Sequence, residues 1–163
     1  MYGLSRISFM STEKAAGYCR HRMDYLWIDP FPGERVTLHV EGADTQGRFS
    51  CGEALLAPGA GQPLHIHHGM DELLYVVEGE VDFTLEGERF RTGPGGFAFI
   101  RRGSVHGFRN LSEGAARLLG VFRTPMLDGF FQAMIENPTA EVPKIARQFG
   151  IEFVGPTMEP LGA

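Results

Sequence analysis

The segment Leu64-His65-Ile66-His67-His68 sets two imidazoles two residues apart. On a strand, side chains alternate between faces, so His65 and His67 point the same way and their rings converge. Glu72 begins the next apolar run, and His106 lies in a later one after a glycine-rich turn. An antiparallel wall can bring all four groups to one end. Three neutral imidazoles and one carboxylate form a borderline donor set that suits one divalent transition metal: Fe, Mn, Ni, Co, Cu or Zn. The set carries a net charge of about minus one, so a divalent centre stays positive and keeps its Lewis acidity. Glu72 is also the candidate catalytic residue, as acceptor of a substrate proton. Two neighbours compete for places in the cluster. His68 rivals His67, but alternation turns it away from the face of His65. Asp71 rivals Glu72, but suits a turn, where aspartate accepts backbone hydrogen bonds.

Such a cluster needs strands to hold it. From Tyr25 onward the chain breaks into short runs rich in aromatic and β-branched residues, separated by Gly, Pro and Asp, as in an all-β domain. The predicted strands are Tyr25 to Ile28, Arg35 to Val40, Phe49 to Ala57, Leu64 to His67, Glu72 to Val77, Glu80 to Leu85, Arg89 to Arg91, Phe97 to Ile100, Val105 to Arg109 and Arg117 to Phe122. Glu78-Gly79 and Glu86-Gly87 suit hairpin turns. Val81, Phe83 and Leu85 alternate with Glu80, Asp82 and Thr84, which predicts one buried and one wet face. Tyr75, Phe49, Phe97, Phe99 and Phe108 are read as core rather than as a substrate pocket. Arg101, Arg102 and Arg109 are read as solvated. His39 and Glu53 carry no decisive signal.

After Pro125 the period changes. Leu127, Phe130, Phe131, Met134 and Ile135 recur at helical spacing up to Asn137-Pro138, and a second amphipathic stretch runs from Glu141 to Phe149, with Gly150 as its C-terminal cap. Their apolar faces need a surface, either the barrel or a second subunit.

Bulk properties set the limits. The 163 residues fit one domain, and 43% hydrophobic with 21% charged residues is an ordinary globular balance. The net charge of -5, with no run of five like charges, disfavours nucleic acid as a partner. No secretory leader pattern or membrane-length apolar stretch stands out, so the chain is read as cytoplasmic, with no membrane partner. Cys19 and Cys51 are read as unlinked reduced thiols.

The motifs match a known family. Gly59, His65, His67, Glu72 and Gly79 reproduce in order and spacing the first cupin motif, and Gly95, Gly103, His106 and Asn110 reproduce the second. Arg101 stands where the family usually has proline, which loosens a loop without removing a ligand. The resemblance covers roughly residues 45 to 123. It implies an antiparallel double-stranded β-helix, or jelly-roll barrel, over residues 24–124. An N-terminal arm (1–23) would precede it, and a C-terminal extension with two short helices (125–163) would follow. It also implies a metal on His65, His67, Glu72 and His106, a small-molecule substrate and a homodimer. The tail, with Gly129-Phe130-Phe131 and Gln148 to Phe153, resembles bacterial monocupins described as quercetinase-like. That resemblance implies dioxygenation of a small aromatic or enolic compound. Relatives on the same scaffold act without redox chemistry as isomerases or polyketide cyclases, or only bind. No helix-turn-helix pattern precedes the motifs, which disfavours a transcription regulator.

Overall fold

In the computed structural model, which describes residues 17–19, 21, 24–138 and 141–157, the apolar runs fold as strands and the later periodic segments as helices. The expected arm therefore lies almost wholly outside the described residues. In chain order the elements are β1 (Glu34–Val40), β2 (Phe49–Leu56), β3 (Gly61–His67), β4 (Asp71–Glu78), β5 (Val81–Leu85), β6 (Glu88–Thr92), β7 (Phe97–Ile100), β8 (Val105–Asn110), β9 (Ala116–Arg123), α1 (Met126–Glu136), α2 (Val142–Gln148) and β10 (Ile151–Thr157). The strands form two antiparallel sheets, ordered β1-β2-β9-β4-β7 and β10-β3-β8-β5-β6. Apolar side chains from both inner faces, among them Leu56, Val76 and Leu118 from the first sheet and Val81, Phe83 and Phe108 from the second, meet in one core. This is the expected all-β jelly roll.

A second apolar cluster lies where the helices close one side. Phe130, Phe131 and Met134 of α1 and Ile145 and Ala146 of α2 pack with Ile28, Leu38 and Ile151. The helices thus use the barrel as their surface, one of the two options the sequence left open.

The predicted strands from Arg35 to Phe122 all form, and the differences from expectation have local causes. Tyr25 to Ile28 is not a strand; Ile28 makes only an isolated bridge to Val36, because Asp29 and Pro30 follow at once and proline cannot donate to a ladder. The C-terminal extension is not only helical, since β10 returns along β3 with Phe153 opposite His65. Glu86-Gly87 does close a two-residue hairpin between β5 and β6, with φ of 50° and 84° as a type I′ turn requires. Glu78-Gly79 does not: β4 pairs with β7 and β9 while β5 lies in the other sheet, so this corner passes the chain between sheets. Gly79 is needed there, because φ is 82° and a Cβ would lie 2.7 Å from Ala116.

Two burial expectations are also corrected. The wet face expected on β5 is covered, with Asp82 2% and Thr84 7% exposed, because β5 is an inner strand between β6 and β8 and Arg91 closes over Asp82. Of the aromatic stripe read as core, only Phe108 is buried. Phe49, Tyr75, Phe97 and Phe99 are exposed on the first sheet, where alternation turns them outward, away from inward residues such as Glu72, Leu74 and Ile100. Cys19 and Cys51 are unlinked. Among the described residues, no helix is long and apolar enough to cross a membrane.

Candidate metal centre

His65, His67, Glu72 and His106 are all buried, and one ligand atom from each lies within 4.8 Å of the others. Strand pairing brings them together. His65 and His106 are register partners on β3 and β8, and Glu72 projects inward from β4 in the facing sheet. The three rings crowd one another, with centroids 4.1 Å apart for His65 and His106, 4.8 Å for His65 and His67, and 4.9 Å for His67 and His106.

The hydrogen bonds define what this cluster can hold. His65 Nδ1 lies 2.8 Å from the Pro63 carbonyl, and His106 Nδ1 lies 3.0 Å from the Ser104 carbonyl. A carbonyl only accepts, so each Nδ1 carries its hydrogen and each Nε2 presents a lone pair to the cluster. His106 Nε2 then faces Glu72 Oε2 at 3.1 Å, two acceptors that need a proton or a cation between them. His67 Nδ1 is buried without a hydrogen-bond partner, its 3.6 Å approach to Glu72 being too long for one. This donor set fits a divalent transition ion.

Electrostatics favour neutral rings. Burial pushes His65 down to about 3, with the neighbouring His106 adding to the effect. Burial, then His65 and His106, hold His67 well below its ordinary range. His106 differs: burial opposes its charged form, but the hydrogen bond and charge of Glu72 outweigh that and raise it.

The rivals are placed elsewhere. His68 is exposed and bonds Glu152 at 2.8 Å. Asp71 does not cap a local turn: as the first residue of β4 it accepts the backbone N–H of Arg102, 31 positions away, at 3.1 Å, and also its guanidinium at 3.0 and 2.8 Å. These bonds hold the Asp71 carboxyl well below the usual range, while Arg102 stays exposed, as the sequence reading has it. His39 and Glu53 join Arg117 in a network outside the cluster.

His67 and Glu72 open on a largely apolar cavity, lined also by Gln62, Phe108, Phe122 and Phe130. His106 borders a second groove between β6 and β7, with Phe90, Phe97 and Phe99 at its rim. Sequence reading missed Gln62. Strict alternation from His65 would turn it outward, but β3 spends three steps from Gln62 to His65 where β8 spends two from Phe108 to His106. That bulge puts Gln62 on the inner face, and the signal for it was Pro63, a residue that strands tolerate at bulges.

Residues 52–122 match the sequence model of the family described as Cupin domain. The quercetin 2,3-dioxygenase of Bacillus subtilis (strain 168) is 33% identical over 103 residues, which is 58% of this chain and 30% of that protein. The chain thus spans under a third of that relative's length. Among solved structures, KdgF from Halomonas sp. is similar with a TM-score of 0.59 and 25% identity, over 67% of this chain and 94% of that one. The polyketide cyclase RemF from Streptomyces resistomycificus is similar with a TM-score of 0.56 and 26% identity, over 66% of this chain and 84% of that one.

Proposed function

The chain is a small cupin, and from that premise we propose that it is a metal-dependent dioxygenase of a small aromatic or enolic compound. The observation that supports this reading is the buried cluster of His65, His67, Glu72 and His106 facing an apolar cavity. These four residues would hold one divalent ion, which when bound supplies Lewis acidity and, if redox-active, electron exchange with dioxygen. Both oxygen atoms enter the product in such a reaction, so it calls for no external reductant.

The chain's own groups have definite tasks. Glu72 Oε2 sits at the inner wall of the cavity and takes the proton of a hydroxyl or enol delivered there, acting as general base. Pro63 and Ser104 hold the rings of His65 and His106 in one tautomer through the carbonyl bonds described above, so neither ring needs to reorganise. Phe108, Phe122 and Phe130 offer apolar faces to a flat substrate and exclude water.

A second reading has its own support. The likeness to the polyketide cyclase RemF covers 84% of that chain, far more than the share of the dioxygenase that is matched. A non-redox cyclase or isomerase would use the same residues, with Glu72 moving the proton. The test is elemental analysis of the purified protein followed by oxygen-uptake assays with flavonols and catechols. The dioxygenase reading requires a redox-active ion and turnover that stops without oxygen. Full activity with zinc, or an anaerobic rate equal to the aerobic one, would replace it with the second.

A further inference from the structure

Behind one residue of the cavity wall, Gln62, lies a buried acid that the proposed chemistry does not use. Glu34, at the start of β1, is 1% exposed. It accepts a hydrogen bond of 2.8 Å from Gln62 Nε2 at Oε1, while its Oε2 is buried with no partner. Burial of such a group is costly unless it is hydrogen-bonded, and its one bond goes to Gln62. Here the partner is the one side-chain amide in the lining of a largely apolar cavity, whose other polar side chains are Glu53, His67 and Glu72. The bulge at Pro63 turns Gln62 inward, and Glu34 claims one of its N–H groups. The second N–H and the carbonyl oxygen of Gln62 make no hydrogen bond among the described residues.

Resting on the reading that the four-residue cluster holds a metal, we propose that Gln62, oriented by Glu34, is a second substrate anchor. The substrate it implies has two oxygen functions on one flat apolar body: a chelating hydroxyl or enol for the cluster and a further acceptor or hydroxyl for the amide. Gln62 touches this second function, and Glu34 is a positioning residue. A neutral amide in an apolar wall discriminates by the hydrogen bond it would leave unmade, so substrates lacking the second oxygen bind less well.

The test uses the full chain loaded with zinc, which oxidises neither probe. Binding of 4-nitrocatechol is followed by its absorbance, and binding of 4-methylcatechol by displacement. The two share the chelating pair and differ in the distal acceptor, so the ratio of their Kd values isolates the distal contact. The wild-type ratio favouring 4-nitrocatechol should fall about three- to tenfold in Gln62→Met and in Glu34→Leu. It should persist in Glu34→Gln, which still offers an acceptor to Gln62. The double variant Glu34→Met/Gln62→Met replaces both partners with apolar groups, a change folding tolerates well, and should show the same fall as Gln62→Met. An unchanged ratio in Gln62→Met and in the double variant, with zinc retained, overturns this inference alone. Retained zinc with neither catechol bound by the wild type overturns it too. A wild-type chain that takes up no zinc sinks the metal reading and this one with it.

Discussion

His65 and His106 stand opposite each other on neighbouring strands, their ring centroids 4.1 Å apart and each Nδ1 bonded to the carbonyl two residues before it. The arrangement aims two Nε2 lone pairs at the same space as Glu72, which is unfavourable without a cation or a proton there. The purified chain is expected to carry about one divalent ion. His67→Ala and His106→Ala should each weaken binding by more than about 100-fold, exceeding the usual effect of altering a residue behind the ligands. His68→Ala should leave it intact, because that ring bonds Glu152 at the surface. Elemental analysis of the variants checks this, and full occupancy in His67→Ala or loss in His68→Ala contradicts the assignment.

Glu34 gives the chain a dependence on pH in the opposite sense to ordinary acid denaturation. Burial pushes its carboxyl up to about 8 from an ordinary value of 4.5, the Gln62 hydrogen bond pulling the other way and the Glu72 charge adding to the rise. Between those values the folded chain keeps a proton that the unfolded chain has released. Its contribution to stability is therefore complete below the unfolded value and is lost as pH rises through the folded one, by up to about 1.4 kcal/mol per pH unit. Glu34→Gln has no proton to lose, so its stability relative to wild type should climb across that window. Urea unfolding of the metal-free proteins at several pH values measures the difference; a constant difference would show that Glu34 does not titrate there.

Much of this architecture was legible because short-range rules decide it. Strand alternation was enough to prefer His67 to His68. Glu72 was also preferred to Asp71, but the turn role given to Asp71 is replaced by long-range bonds to Arg102. Helical spacing found Phe130, Phe131 and Met134. What stayed hidden depends on partners far away in the chain. Nothing local to Val81–Leu85 says that β6 and β8 will flank it and that Arg91 will cover Asp82. Nothing local to Phe97 and Phe99 says that their strand is an edge whose outer face no described element covers. The inward turn of Gln62 comes from a bulge set by pairing with β8, and the hydrogen-bond partner of buried Glu34 is that same residue, 28 positions away.

Asn110 is a structural pin rather than a site residue. Its side chain is fully buried, with Nδ2 within 3.0 Å of the carbonyls of Leu56, Ala57 and Gly114, and its Oδ1 accepts the Ser112 N–H at 2.7 Å. It ties the end of β8 to the end of β2 and to the turn before β9. Asn110→Ala would strand several buried polar groups at once and should cost about 3 kcal/mol or more. Asn110→Asp should be at least as harmful, since a carboxylate has no hydrogen to offer any of these carbonyls, whereas the amide has two. Thermal melts of the metal-loaded variants check both. Melting within a degree or two of wild type would mean that water replaces these bonds.

The homodimer that the family resemblance implies would need an exposed apolar surface, and the first sheet offers one. Phe97 and Phe99 on β7 and Tyr75 and Val77 on β4 are between 39% and 64% exposed on the outer face of the first sheet. Large apolar side chains grouped on one sheet face are what a second copy of the chain would cover. Covering a phenylalanine yields about 1.5–3 kcal/mol, so Phe97→Asp and Phe99→Asp should each weaken the dimer by at least about tenfold. The double variant should run as a monomer at micromolar concentration. Its metal content should not change, because Phe97 and Phe99 lie opposite Tyr75 and Leu73, on the face of the sheet away from Glu72. Light scattering on the two proteins decides the matter: a monomeric wild type, or a double variant that stays dimeric, would place the association elsewhere or remove it.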